Sequence, residues 1–183
     1  DINMLDSELI EKSVAFHFSN KSGYRNIWFD YLITEHKEKV ISSLVQYWVA
    51  MLKNNAAFLP GRDLVLGKQP DIEITQNCIL TLLENWIHCK AKTLLQLLHI
   101  AFKFSDKNEF LTVCENRLKE DEVLTEKTRL YWVASAYLLA PEKYFSQLSG
   151  YVGRVKLKIM PLLDFVVLIM NDHEQIKIDF NDE

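Results

Sequence analysis

Glycine and proline are scarce, with 5 and 4 residues in a chain of 183. An all-β domain needs many tight turns, and those turns depend on these two residues. The shortage therefore argues against sandwiches and barrels. Leucine, lysine and glutamate are plentiful instead, which is typical of a mostly helical protein. Because 49% of the residues are hydrophobic, the chain is able to bury a sizeable core.

Cysteine is also rare, and the three thiols have no paired spacing. This pattern predicts buried thiols in a reducing compartment, with the cytoplasm as the expected location. No basic and then apolar leader opens the chain, which starts on Asp1, and we expect it to be a segment of a longer protein. The long apolar run Ile159–Met170 is interrupted by Pro161 and Asp164 and is too short to span a bilayer.

A strong excess of either charge is missing as well. The net charge is −4 and the isoelectric point is near 5.8, so nothing global favours nucleic acid or an anionic membrane as a partner. One basic cluster, Arg154, Lys156 and Lys158, alternates with apolar residues. We interpret it as a solvated helix face in preference to a phosphate-binding patch.

An internal echo at an offset of 104 positions is the most informative pattern in the chain. Trp28 corresponds to Trp132, and six further apolar pairs recur at helical spacing. The pairs are Leu32/Ala136, Ile33/Tyr137, Val40/Tyr144, Ile41/Phe145, Leu44/Leu148 and Tyr47/Tyr151. The echo predicts two helix-turn-helix units, the second turning at Ala140-Pro141. We expect both tryptophans to be buried at equivalent positions.

Apolar periodicity predicts nine helices and one long loop, residues 56–73, which has no helical period. The expected helix starts include caps at Asp6 or Ser7, at Thr75 and at Ser105-Asp106. Leu9 is placed on the buried face of the first helix and Ile87 on that of the fourth. We therefore expect one all-α domain over residues 1–171, followed by an acidic tail or linker over 172–183.

The tail breaks the helical pattern. Ile176, Ile178 and Phe180 alternate with charged residues in a period of two, which predicts an extended segment over 175–180. We expect it to lie in a groove between helices, to add to a strand edge, or to act as a linker.

Residues that suggest chemistry do not form a recognisable site. The stretch from Gly61 to Lys68 has five residues between its glycines where a phosphate-binding loop needs four, and Gln69 replaces the required Ser or Thr. Cys78 and Cys89, eleven apart, would be about 16 Å apart on one helix, too far to share a zinc ion with His88 or His99.

Acidic residues offer no stronger candidate. Asp30 and Asp164 sit among apolar residues, and we expect each to be exposed or ion-paired in preference to catalytic. The run Glu120-Asp121-Glu122 is assigned to a solvated turn. We therefore predict no catalytic, cofactor-binding or metal-binding residue.

The segment Thr128–Tyr144, with the sequence TRLYWVASAYLLAPEKY, resembles the HEAT-like helical repeats that follow the nucleotide-binding module of large bacterial signal-transduction (NACHT/STAND-type) NTPases. The resemblance covers under a tenth of the chain. It implies antiparallel helix pairs stacked as an α-α superhelix. It also implies a non-catalytic sensor or scaffold segment whose NTPase lies outside these residues.

Together these observations favour a non-catalytic protein-interaction module of the cytoplasm, which binds another protein or an adjoining domain. The alternative is a small all-helical enzyme or ligand-binding protein with a pocket between helices. A deep pocket beside titratable groups would favour the alternative, whereas a filled core would favour the interaction module.

Overall fold

The computed structural model of the chain describes residues 6–19, 27–54, 59, 61–67, 71–120, 124–153 and 159–170. These ranges are all-helical, as the composition predicts, and contain no strand. Their ten helices are α1 (Ser7–Ser19), α2 (Ile27–Glu35), α3 (Lys37–Lys53), α4 (Asp63–Leu66), α5 (Ile72–Asn85), α6 (Ala91–Phe104), α7 (Lys107–Lys119), α8 (Glu126–Leu139), α9 (Pro141–Gly153) and α10 (Ile159–Met170).

Short polar side chains begin several of these helices. The Asp6 carboxylate accepts a hydrogen bond from the Leu9 amide at 2.7 Å, and Asp106 accepts from two amides of the first turn of α7. Both caps are predicted from the sequence. Thr125 caps α8 through its hydroxyl. Each cap satisfies amide groups that the helix itself leaves without an acceptor.

The helices pack in two rows. In one row α1 contacts α3, α3 contacts α5 and α5 contacts α7, while in the other α6 contacts α8 and α8 contacts α10. Contacts of α5 with α6 and of α7 with α8 join the two rows, and α9 packs on α8. One apolar core follows the rows from Ile10 in α1 to Phe165 in α10, both fully buried.

The segment 56–73 differs from the predicted loop. It contains the short helix α4, and α5 begins at Ile72 with Asp71 as its cap, where the sequence predicted Thr75. Asp71 accepts from the Ile74 amide at 3.1 Å, so Thr75 lies inside the first turn and is fully buried. The prediction was wrong because Asp and Thr are both good caps, and the buried apolar side chains of α4 favour the earlier start.

Two apolar side chains that the sequence placed on buried helix faces are exposed. Leu9 is 46% exposed on α1, and Ile87 lies beyond the end of α5 with 38% exposure. For Ile87, the helix stops at Asn85, so the periodicity no longer applies. For Leu9, neighbours cover only the side of α1 that carries Ile10 and Val14.

Candidate functional site

An aromatic cluster joins α1 to α2. The imidazole of His17 stacks on the ring of Phe29 with 3.8 Å between centroids and 6° between planes. Phe18 and Trp28 contact the same imidazole edge-on, at 5.1 and 5.5 Å. Phe29 is fully buried, whereas Trp28 is half-buried. The cluster therefore gives the two helices a rigid base, with one edge of it reaching the surface.

Large apolar side chains lie on the solvent side of this cluster. Leu9 is 46% exposed, Phe16 is 61% exposed and Ile27 is 88% exposed. Phe16 lines an open cavity of about 290 Å³ together with Lys12, Ser13 and Trp28. We call the set formed by Leu9, Phe16, Ile27 and Trp28 the α1–α2 surface.

The polar groups at this surface are few. Lys12 pairs with Glu8 at 2.6 Å, and both side chains are largely exposed. The cavity is thus lined by one ammonium, one hydroxyl and two aromatic rings, with no carboxylate or thiol. The ammonium of Lys12 is held by Glu8, and the two aromatic rings make the rest of the lining largely apolar. Its chemistry suits an apolar binding partner.

Further apolar side chains are exposed on the last two helices. They are Phe145 on α9, at 63%, and Leu163 and Val167 on α10, at 50% and 53%. Asp164 lies beside them and is itself exposed, as expected from the sequence. Its charge reinforces the rise in the pKa of Tyr131 that burial causes.

The cysteines are separated by the fold. Cys78 is buried in α5, whereas Cys89 lies in the connection before α6. The two cysteines are therefore not on one helix, as the distance argument from the sequence assumed. Burial raises the pKa of Cys78 to about 12. It also raises the pKa of Cys89 to about 11, against the opposing charge of Arg117. Both thiols are therefore protonated at neutral pH and are poor nucleophiles.

No group of three or more His, Cys, Asp or Glu side chains is arranged for a metal ion within the described parts of the chain. The same parts include no helix long and apolar enough to cross a membrane. Asp30 is exposed on α2.

Several motifs considered in the sequence fall partly or wholly outside the described residues. Lys68 and Gln69, the acidic pair Asp121-Glu122, the basic residues at 154–158 and the tail at 172–183 are among them. The described part of the glycine-containing stretch turns at Gly61 into α4. A Cβ atom on Gly61 would lie 2.3 Å from the ring of Phe18, so this glycine allows close packing against α1.

Arg117 is a residue that sequence reasoning missed. It is only 4% exposed, donates to the carboxylate of Glu120 at 2.6 Å, and lies 6.0 Å from the centroid of the Trp132 ring. Its position seven residues after Phe110 continues the buried stripe of α7, which is the signal that could have identified it. The arginine packs the centre of the fold and forms no open site.

Comparisons with protein-family models, curated proteins and solved structures give no match for this chain. The resemblance to signal-transduction NTPases therefore stays a prediction.

Proposed function

We propose that the protein is a non-catalytic interaction module that binds a helix of another protein through the α1–α2 surface. The observation that carries this proposal is an open cavity lined by the exposed Phe16 and by Trp28 of the aromatic cluster, with Leu9 and Ile27 exposed on the same two helices. Exposed apolar side chains beside an open cavity are typical of protein-binding sites.

The spacing on α1 indicates the form of the partner. Leu9 and Phe16 are seven residues apart, which places them about 10 Å apart on the same helix face. Ser13 lies between them and lines the cavity. A seven-residue apolar repeat with a small residue between its members is the arrangement against which a second helix packs. The partner is therefore expected to present an amphipathic helix whose large apolar side chain enters the cavity.

The alternative of an enzyme or small-ligand protein has less support. The cavity is open, it falls at the lower limit of ordinary ligand pockets, and the one titratable side chain in its lining already has an ion pair. We also propose, from the sequence, that this interaction module is part of a scaffold or sensor protein of the cytoplasm.

The test compares two phenylalanines of nearly equal exposure, Phe16 and Phe145. A photo-crosslinking amino acid at each position, in the full chain in its native cells, would identify proteins that contact each surface. A protein captured at position 16 is then purified, and its affinity is measured for the native chain, Phe16→Asp and Phe145→Asp.

We expect Phe16→Asp to weaken binding by about thirtyfold, the effect of losing a residue that contributes on the order of 2 kcal/mol. Phe145→Asp should bind as the native chain does. Equal affinity of all three proteins, or the absence of any crosslink specific to position 16, would contradict the proposal.

A further inference from the structure

Trp28 forms one wall of the cavity, although its place at the start of α2 gives the indole ring little support from that helix. The residue is the second of a helix of nine residues that begins at Ile27. The first turn of a short helix opens readily, because its amides have no acceptors within the helix. The indole is half-buried, and the open cavity beside it leaves room for another rotamer. A defined cavity therefore needs a contact from outside α2.

The imidazole of His17 supplies such a contact from α1. Its ring centroid lies 5.5 Å from that of Trp28, and the two ring planes are perpendicular, at 90°. Edge-to-face contact is a preferred arrangement of aromatic rings, and its energy corresponds to up to about a tenfold preference for one orientation of a side chain. Rotation of the indole into the cavity would lose this contact. The imidazole thereby favours the open form of the cavity.

The imidazole is itself held in place by its neighbours. One of its faces stacks on the ring of Phe29, with 3.8 Å between centroids. Phe18 contacts it edge-on at 5.1 Å. The Phe18 ring in turn stacks on Tyr47 of α3, at 6.4 Å between centroids, and lies against the turn at Gly61. Contacts from α2, from α3 and from the turn before α4 thus fix the ring that orients the indole.

We propose that His17 is a positioning residue of the α1–α2 surface, which holds the Trp28 ring as the wall of the cavity before a partner arrives. This inference rests on the proposed function, because the shape of the cavity matters for binding only if a partner enters it. A surface that is ordered in advance loses less conformational entropy on binding, which raises affinity. If the wall is formed in only a fraction of the molecules, the apparent affinity falls by that fraction.

The test uses the full chain labelled with fluorotryptophan and observed by fluorine NMR spectroscopy. Trp28→Phe identifies the Trp28 signal among those of the four tryptophans. We expect His17→Leu, which fills a similar volume without an aromatic ring, to shift or broaden that signal and to increase its response to exchange of light for heavy water. His17→Phe retains a ring and should restore a single signal close to the native one. Failure of His17→Phe to restore it would contradict a role for ring geometry.

Phe102→Leu is the matched control. Phe102 makes an edge-on contact of the same kind with Phe110, with 5.0 Å between centroids and 79° between planes, where α6 packs on α7. Its replacement removes an aromatic contact outside the α1–α2 surface, so the Trp28 signal should keep its native shift and width. Equal changes of that signal in Phe102→Leu and His17→Leu would indicate a general loosening of the fold and would overturn the proposal.

Affinity for the protein captured at position 16 completes the test. We expect His17→Leu to weaken this binding about tenfold, as when about one molecule in ten keeps the wall in place. His17→Phe should retain most of the affinity. Native affinity of His17→Leu, or an unchanged Trp28 signal in that variant, would overturn the proposal. Native affinity of Phe16→Asp would instead contradict the proposed function, and the Trp28 signal would still show whether His17 holds the ring.

Discussion

The α2–α3 and α8–α9 helix pairs turn at equivalent points, because α3 begins at Lys37 and α9 begins at Pro141, 104 residues later. Their surroundings differ. The helix α8 contacts α6, α7, α9 and α10, whereas α2 contacts α1 and α3. Consequently Trp132 is 1% exposed in the middle of α8, while Trp28 is half-buried near the start of α2. The prediction that the two tryptophans are equivalent and buried was therefore wrong for Trp28.

The different burial of the two tryptophans shows how much structural information an apolar repeat contains. Periodicity determines which face of a helix is apolar, but the number of neighbouring helices determines how much of that helix is covered. An outer helix and a central helix share the first property and differ in the second. In this protein the outer helix α2 contributes Ile27 and Trp28 to the α1–α2 surface, whereas the central helix α8 contributes Trp132 to the core.

The largest expected effect comes from replacing the two tryptophans. Trp132→Ala should lower the free energy of unfolding by about 3–5 kcal/mol, because it leaves a cavity in the core. Trp28→Ala should cost less, about 1–2 kcal/mol, since part of its ring already contacts solvent. Urea denaturation of both variants measures the two losses. Equal losses would show that the two helix pairs are energetically equivalent despite their different burial.

A smaller effect is expected at two glycines, one from each part of the molecule. Gly61 has a φ of 73°, and an added Cβ would meet the ring of Phe18. Gly61→Ala should therefore cost about 2 kcal/mol, combining backbone strain with displacement of the ring. Gly150→Ala is the matched control, because nothing lies within 4 Å of its added Cβ in α9. It should stabilise the protein by up to about 1 kcal/mol. If Gly61→Ala is as harmless as the control in urea denaturation, the close packing of α1 on this turn is wrong.

Substitutions of Arg117 test whether the core next to Trp132 needs a charged side chain for its stability. Arg117→Met retains most of the side-chain volume and should change the free energy of unfolding by less than about 1 kcal/mol. Arg117→Ala removes the packing against the Trp132 ring and should cost about 2 kcal/mol. The partner Glu120 is half exposed, so water solvates its carboxylate in both variants. Equal losses in thermal denaturation would indicate that the ion pair, and not packing, stabilises this region.

The smallest effect concerns the ion pairs that anchor the second helix of each pair. Lys37 binds Glu73 at 3.0 Å, and Lys143 binds Glu115 at 2.8 Å. The hydrogen bond from Lys143 lowers the pKa of Glu115. This interaction therefore stabilises the fold above the ordinary glutamate pKa, and the stabilisation disappears as the pH falls through the lower pKa of the folded state.

Glu115→Gln should thus have a slightly lower urea midpoint than the native chain near neutral pH. The difference should shrink as the pH falls from about 6 to about 2, because the native carboxylate becomes neutral as well. Glu84→Gln, at an exposed position of α5, serves as the control. A difference for Glu115→Gln that stays constant over this pH range would contradict a contribution from the charged pair.

The sequence predicted the helical class and most helix bounds because apolar periodicity and capping residues are local signals. Asp106 and Pro141 begin α7 and α9 as expected. The start of α5 was wrong because two cap candidates, Asp71 and Thr75, compete over four residues. The candidate site was not predicted at all. The outward position of Leu9 depends on which faces of α1 other helices cover, and that information is tertiary.

The continuous burial of residues 130–136 in α8 has a consequence for how the protein opens. Water reaches a backbone amide in such a helix only when its neighbours separate, so local fraying cannot expose it. Hydrogen–deuterium exchange at these seven amides should therefore report the free energy of global unfolding. Amides of α2, at the edge of the fold, should exchange through smaller openings, so the surface proposed to bind a partner would also be the part of the molecule that adjusts most readily to one.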